Sequence, residues 1–411
     1  SIRPVGVCNV NDFFELNLEQ TGGVEILRGP GSALYGSSAV HGLINVFTRD
    51  PGTLPAFGAA LEAGAHDYVR GRFALARQGA HTDAALLAHA THDGGFRADS
   101  GYREQKLTAL LTHRPALGRL DLWLTATRLA QDTAGFVEGF GAYRDPVLRI
   151  SNQNPEAYRD ASAARFGLHW QRPAGEQAQW NLRAMARHSR MDFLQHFLLR
   201  KPLERNGQDS ATVLLSFDGY AGATAFTAGV DAELSSSFLL QAQDGPTLDG
   251  APAANAIRPA GRHYDFDVHA RVAAAYAQLR HALTPALDLT AGARAEHVRY
   301  DYDNRMRDGN TAEDGTPCPG GCLYNRPADR VDRFTNVSPK LGLSWTWRPA
   351  HSLYLNASHG YRAPETTELY RLQRQQTVAA LDTERSRSVE VGARGRLARL
   401  RYTVAAYRMT K

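Results

Sequence analysis

The sequence predicts an all-β chain: a transmembrane antiparallel β-barrel, preceded by a compact glycine-rich segment. Three observations predict it. From Phe57 onward apolar residues recur with period two over long stretches. Connections between these stretches alternate between short and long. No run approaches the ~20 apolar residues of a transmembrane helix, and mean hydropathy is −0.40. A transmembrane barrel looks soluble by that test, because its lipid-facing and lumen-facing residues alternate.

The front of the chain differs from the rest. In residues 24–51, Val24, Ile26 and Leu27 suit one short strand, and Leu43, Ile44, Val46 and Phe47 a second. Gly29, Pro30, Gly31, Gly36 and Gly42 lie around the turn between them. Pro30 fixes φ and glycine tolerates positive φ, so residues 28–31 must turn sharply. Residues 32–35 suit one helical turn, stopped at Gly36.

Behind this segment the alternation is regular. Leu287, Leu289, Ala291, Ala293 and Ala295 interleave with Asp288, Thr290, Gly292, Arg294 and Glu296. Phe166, Leu168 and Trp170 alternate with Gly167 and His169, and Leu341, Leu343, Trp345 and Trp347 with Gly342, Ser344 and Thr346. Such alternation is the mark of a strand with one apolar face. About fifteen strands are expected, starting near Phe57, Tyr68, Thr82, Glu104, Gly118, Ala161, Gln177, Ser210, Ala223, Phe266, Ala286, Thr335, Ser352, Ser388 and Arg399. Strands of ~10 residues exceed the globular norm and match a tilted membrane span. Short turns fall after even-numbered strands, as at Gly79–His81, Arg114–Leu117 and Arg348–Ala350. Long loops, 93–103, 129–160, 191–209, 236–265, 301–334 and 362–387, follow odd ones. Long loops confined to one end are the topology of an outer-membrane barrel.

Composition excludes other classes. The chain has 411 residues, net charge +5 and 22% charged residues. It has no Lys/Arg block with interleaved aromatics, so nucleic acid is not an expected partner. No Ser/His/Asp constellation is tied to a motif, so no enzymatic activity is expected. The three cysteines are Cys8, Cys318 and Cys322. Cys318 and Cys322 flank Pro319-Gly320-Gly321, a spacing that suits a local disulfide in an oxidising compartment. Free thiols are the alternative, and a zinc site would lack its two further ligands. Cys8 has no evident partner. The front carries no signal peptide, and the last residues stop inside an alternating pattern, so the sequence reads as a fragment.

With these residues on the page, the chain resembles a TonB-dependent outer-membrane receptor. Glu25-Ile26-Leu27-Arg28-Gly29-Pro30, Ala33-Leu34-Tyr35-Gly36 and Gly42-Leu43-Ile44-Asn45-Val46 resemble the end of that family's plug domain. Tyr361-Arg362-Ala363-Pro364, then Glu368-Leu369-Tyr370, resembles a segment of the barrel's later half. The resemblance implies residues 1–53 as the C-terminal part of a plug and 54–411 as a barrel. Family barrels have roughly 22 strands, so some seven strands are expected beyond Lys411, with most of the plug and its TonB-contacting segment before Ser1. It further implies a Gram-negative outer membrane, lipid around the wall and energy from the TonB–ExbB–ExbD complex. The expected cargo is a scarce solute, a ferric siderophore or another iron or nutrient complex. No cofactor and no metal site are implied. A haem ligand is disfavoured, because residues 363–386 contain no histidine. A passive porin-like or adhesin barrel is the alternative, and the plug-like block argues against it.

The resemblance also selects site residues. Arg28, Gly29, Pro30, Tyr35, Gly36 and Gly42 form the plug motif. By period two Glu390, Arg294 and Glu296 face the lumen, where a plug contact is expected, and an Arg28–Glu390 pair would be a charge-assisted lock. Tyr143, Arg144, Arg326, Tyr370 and Arg374 lie in or beside long loops and are candidates for an anionic, aromatic ligand. Trp170, Trp180, Trp345 and Trp347 sit near short turns, as in the aromatic girdle of a membrane interface.

Overall fold

The structure is a computed structural model that describes residues 9–29, 31, 36, 37, 39–377 and 381–411; the side chains of residues 9–11 and 28 lie outside this set. Among the described residues two strands come first, β1 (Thr21–Arg28) and β2 (Gly42–Thr48), paired with each other in a sheet of their own. The wall follows: β3 (Phe57–Ala63), β4 (Val69–Arg77), β5 (Thr82–Asp93), β6 (Tyr102–His113), β7 (Arg119–Asp132), β8 (Tyr158–Pro173), β9 (Ala178–Leu194), β10 (Leu203–Ala221), β11 (Thr224–Gln243), β12 (Gly261–Thr284) and β13 (Leu287–Asn304). It continues through β15 (Arg330–Arg348), β16 (His351–Arg362), β18 (Glu384–Leu397) and β19 (Leu400–Thr410). These are fifteen strands of one antiparallel sheet, each beside its neighbour in sequence. Its edges are β3 and β19. Two loop strands, β14 (Tyr324–Asn325) and β17 (Leu372–Gln373), pair across the long loops.

The register sorts the two faces. Phe57 pairs with Leu75, Leu75 with Leu86, and Leu124 with Phe166. All five are exposed, as an apolar face turned to lipid requires. Trp180, Trp345 and Trp347 share that face near the short turns and are exposed as well. The opposite face carries Arg70, Thr108, Arg165, Arg187, Arg294 and Glu296, the polar lumen side. One glycine there is fixed by a close approach: a Cβ on Gly167 would lie 1.9 Å from the Trp123 ring on the next strand.

The strands differ from expectation at one end. The short-turn ends fall where expected, but β10, β12 and β15 begin five to seven residues earlier than the alternation indicates, at Leu203, Gly261 and Arg330. Pairing there outlasts the amphipathic pattern: the inner side carries the buried aromatics Tyr264 on β12 and Phe334 on β15, and the buried polar Glu204 and Gln208 on β10. Leu239, Tyr264, Phe266, Val298, Tyr300, Tyr302, Phe334, Leu369 and Tyr370 form a single buried cluster.

Candidate functional site

The front segment is tied into the lumen by polar contacts. Residues Asn9–Glu15 and Leu18–Gln20 form short 3-10 turns. Glu15 is 1% exposed, and Arg187 of β9 is 4% exposed. Arg187 Nε donates to both carboxylate oxygens of Glu15 at 3.0 Å, and its Nη2 donates to the same group. Arg187 Nη1 donates to Gln208 Oε1 at 2.6 Å. Arg165 of β8 stands directly opposite Arg187 in the ladder, and its Nε lies 3.9 Å from Glu15 Oε2. Like charges facing each other across a ladder destabilise it, so Glu15 acts as counter-ion to the pair. Further contacts follow along the segment. Lys106 Nζ donates to the Leu16 carbonyl at 2.6 Å, Asn17 Nδ2 to Thr108 Oγ1 at 2.8 Å, and Arg70 Nη2 to Glu19 Oε1 at 2.6 Å. Beyond β2, Arg119 Nη2 donates to Asp50 Oδ2 at 3.1 Å. Phe14 adds the main apolar anchor, packed on Leu129, Ala161, Ala163, Met191 and Phe193.

A second contact joins the two sequence motifs. Gly36, at φ +78°, lies against a buried charge cluster: a Cβ there would be 2.7 Å from Glu296 Oε2 and 3.1 Å from Arg294 Nη2. Arg294 Nη1 donates to Asp231 at 2.5 Å, and its Nε and Nη2 donate to Glu296 Oε2 at 3.0 and 2.8 Å. The fully buried Tyr361 ring reaches the same cluster. Beside it the Ala363 amide donates to Ser37 Oγ at 3.2 Å. The geometry explains the rest of that motif. Arg362 grips both oxygens of Glu368 at 2.9 and 3.0 Å, a bidentate staple. Glu365 caps the short helix Thr366–Tyr370 in a reciprocal box with Glu368.

A front segment clamped inside a lumen-facing wall is the arrangement of a plugged barrel. The description "TonB dependent receptor-like, beta-barrel" matches residues 91–411. The chain belongs to the TonB-dependent receptor family. Members are Gram-negative outer-membrane proteins, transporters rather than enzymes, and that membrane is where this chain belongs. One stretch of 79 residues is 35% identical to the "Vitamin B12 transporter BtuB" of Vibrio vulnificus (strain CMCP6), covering 19% of this chain and 12% of that protein. The fold is similar to the unliganded ferric citrate transporter FecA (TM-score 0.73, 16% identity, 96% of this chain and 57% of that one). It is also similar to the siderophore receptor PiuA from Acinetobacter baumannii (TM-score 0.73, 13% identity, 95% and 62%). The chain thus spans about three fifths of those receptors' length.

The remaining site residues of the receptor fall as follows. The Gly29 amide bonds the His41 carbonyl at 3.0 Å, and Gly42 pairs with Arg28 in the β1–β2 ladder. Pro30, Tyr35, the expected turn at 32–35 and the Arg28 side chain lie outside the described residues, and the Arg28–Glu390 pair with them. Glu390 is half-buried and its partner on the wall is the Tyr354 hydroxyl. Cys318 and Cys322 form a disulfide. Arg374 donates to the Gly320 carbonyl at 2.9 Å and the Pro319 carbonyl at 3.2 Å, so it clasps the disulfide loop. Arg326 is 2% exposed and donates to the carbonyls of Arg307 at 2.7 Å and Thr311 at 2.8 Å. Tyr370 is fully buried, stacks on Tyr302 at 4.3 Å and donates to Asp332 at 2.8 Å. Arg326, Tyr370 and Arg374 therefore knit the loops together; Arg326 and Tyr370 are buried away from solvent, and Arg374 is half-buried. Tyr143 is 69% exposed, with the Arg144 guanidinium 5.3 Å above its ring. Arg97 holds both ends of that loop, donating to the Gly135 carbonyl at 2.6 Å and the Ser151 carbonyl at 2.7 Å. Among the described residues no cluster of histidine, cysteine and acidic groups fits a metal.

Glu15, Glu19, Asp50, Arg165 and Arg187 escape a sequence reading built on motifs. The available signal was Arg165 and Arg187 at lumen positions of neighbouring strands. Two facing arginines demand an acid from outside the wall, and the front segment is where the acids lie.

Proposed function

We propose that the intact receptor binds a scarce solute from outside and imports it when the TonB–ExbB–ExbD complex pulls on a plug, of which residues 1–53 are the C-terminal part and 54–411 the surrounding wall. The buried Glu15–Arg187 contact carries this reading. A passive pore has no use for a lumen-filling segment bonded to its wall. The proposed cargo is a ferric siderophore, with the exposed Tyr143–Arg144 loop among its first contacts. Tyrosine faces and guanidinium suit an anionic, aromatic chelate. A corrinoid is the second reading, favoured by the 79-residue match to BtuB.

The test is uptake by cells expressing the complete gene, with and without TonB. Radio-iron loaded on catecholate, hydroxamate and citrate chelators is offered beside cyanocobalamin. TonB-dependent accumulation of an iron chelate supports the first reading. Cobalamin alone supports the second, and uptake unaffected by loss of TonB refutes both.

A further inference from the structure

The outer face of the wall carries a row of arginines that the transport reading does not use. Arg271 of β12 pairs with Arg299 of β13, and Arg299 pairs with Arg333 of β15. Three arginines thus stand side by side on three neighbouring strands. They share the face of Leu234, Val337 and Leu341, which are exposed, while the lumen-side neighbours Val298, Tyr300 and Phe334 are buried. Like charges directly opposite across a sheet destabilise it. The compensation visible is partial. Arg299 Nη2 donates to Asp301 Oδ1 at 2.6 Å. Among the described residues, Arg271 and Arg333 have no carboxylate within ion-pair distance, and Asp301 is the acid that lies near them. Asp267 and Asp303 stand one tier further from the apolar band, and Arg305 bonds Asp267.

The height of the row identifies what meets it. On β15 the outward residues below Arg333 include Val337 and Leu341 and end at Trp345 and Trp347. Twelve residues separate Arg333 from Trp345, about 40 Å along a strand and about 30 Å once tilted, the hydrocarbon thickness. Trp345 marks one interface, so the arginine row lies at the other, on the long-loop side. That is the outer leaflet. Its headgroups in a Gram-negative outer membrane are phosphorylated sugars, and guanidinium binds phosphate in bidentate fashion.

We propose that Arg271, Arg299 and Arg333 form a docking site for the phosphates of an outer-leaflet glycolipid. The site rests on the outer-membrane placement but is independent of the cargo. The test uses the complete receptor in detergent, exchanged into mixed micelles of diphosphoryl lipid A, and reads retained lipid by native mass spectrometry. Wild-type receptor should retain diphosphoryl lipid A, and the R271A/R333A variant should retain about tenfold less. The R271K/R333K variant, which keeps charge but loses the fork, should fall between them. Arg128, an outward arginine flanked by Gln105 and Ser162, supplies the control: R128A should retain lipid as wild type does. Heat-modifiable gel migration reports folding of every variant. Equal retention by wild type and R271A/R333A overturns the proposal. So does equal retention of dephosphorylated lipid, or displacement by millimolar inorganic phosphate alone, which would mark a general anion site. Cargo uptake by R271A/R333A should stay normal, so failure of this site and failure of the transport reading give different results.

Discussion

Glu15→Ala should be among the most damaging single substitutions in the front segment. Its carboxylate is fully buried and takes bonds from Arg187 Nε at 3.0 Å to each oxygen. Removing it leaves Arg187, itself buried, facing Arg165 with only the more distant Asp12, 3.5 Å from its Nη2, as counter-ion. Breaking a buried pair by deleting one partner costs about 3–5 kcal/mol. The double variant E15A/R187A removes the orphaned charge and should recover most of that loss, a coupling of about 2–3 kcal/mol. Hydrogen exchange of the amides in residues 9–20, in the complete receptor, is the measurement. E15A should speed their exchange by a factor of about 100 or more, and E15A/R187A should restore most of the protection. If E15A changed exchange less than about fivefold, or if the double variant were as open as the single, the lock would not be the anchor of this segment.

Three further outcomes are expected. Gly36→Ala places a Cβ against Glu296 Oε2 at a backbone angle costing about 1–2 kcal/mol for a non-glycine residue, so proteolysis within residues 24–51 should become faster. Cys318→Ser with Cys322→Ser should raise amide exchange in loop 305–329 by an amount equivalent to about 2 kcal/mol, leaving β12 and β13 unchanged. His263 lies on the long-loop extension of β12, stacked 3.8 Å from Tyr324, and burial pushes its pKa down to about 4. An imidazole with a depressed folded pKa stabilises the loop cluster above its unfolded value of about 6.5, and that contribution is lost as pH falls toward 4. Exchange in loop 305–329 should therefore rise by roughly 3 kcal/mol equivalent between those pH values, and His263→Phe should flatten the profile.

The fold was largely legible because a two-residue period writes both faces into the sequence. Leu287 to Glu296 shows lipid side and lumen side before any pairing is known. The fifteen strands and the side of the long loops follow from that period and from turn residues. The site was legible only where a local motif carried it. Gly36, Arg294, Glu296 and Tyr361 come from separate stretches, and nothing in any one of them states that they touch. Arg326 and Tyr370 looked like ligand contacts because loop position suggests exposure. They are buried because two long loops pair through β14 and β17 and fold onto the aromatic extension of the wall. Contacts between distant loops leave no periodic trace.

The chemistry of the front segment's contacts bears on how it can be released. Apart from Phe14, residues 12–20 meet the wall mainly through charge pairs and hydrogen bonds. Such an interface is asymmetric in its energetics. Deleting one partner strands a buried charge and is costly. Separating both partners into water is far cheaper, because each group recovers hydration and the net worth of a hydrogen bond is only about 0.5–1.5 kcal/mol. An apolar interface of equal area would resist withdrawal along its whole path. A polar one yields once water enters behind the moving segment. The same contacts can therefore hold the segment firmly at rest and give way under a modest pull, as the proposed TonB-driven import requires.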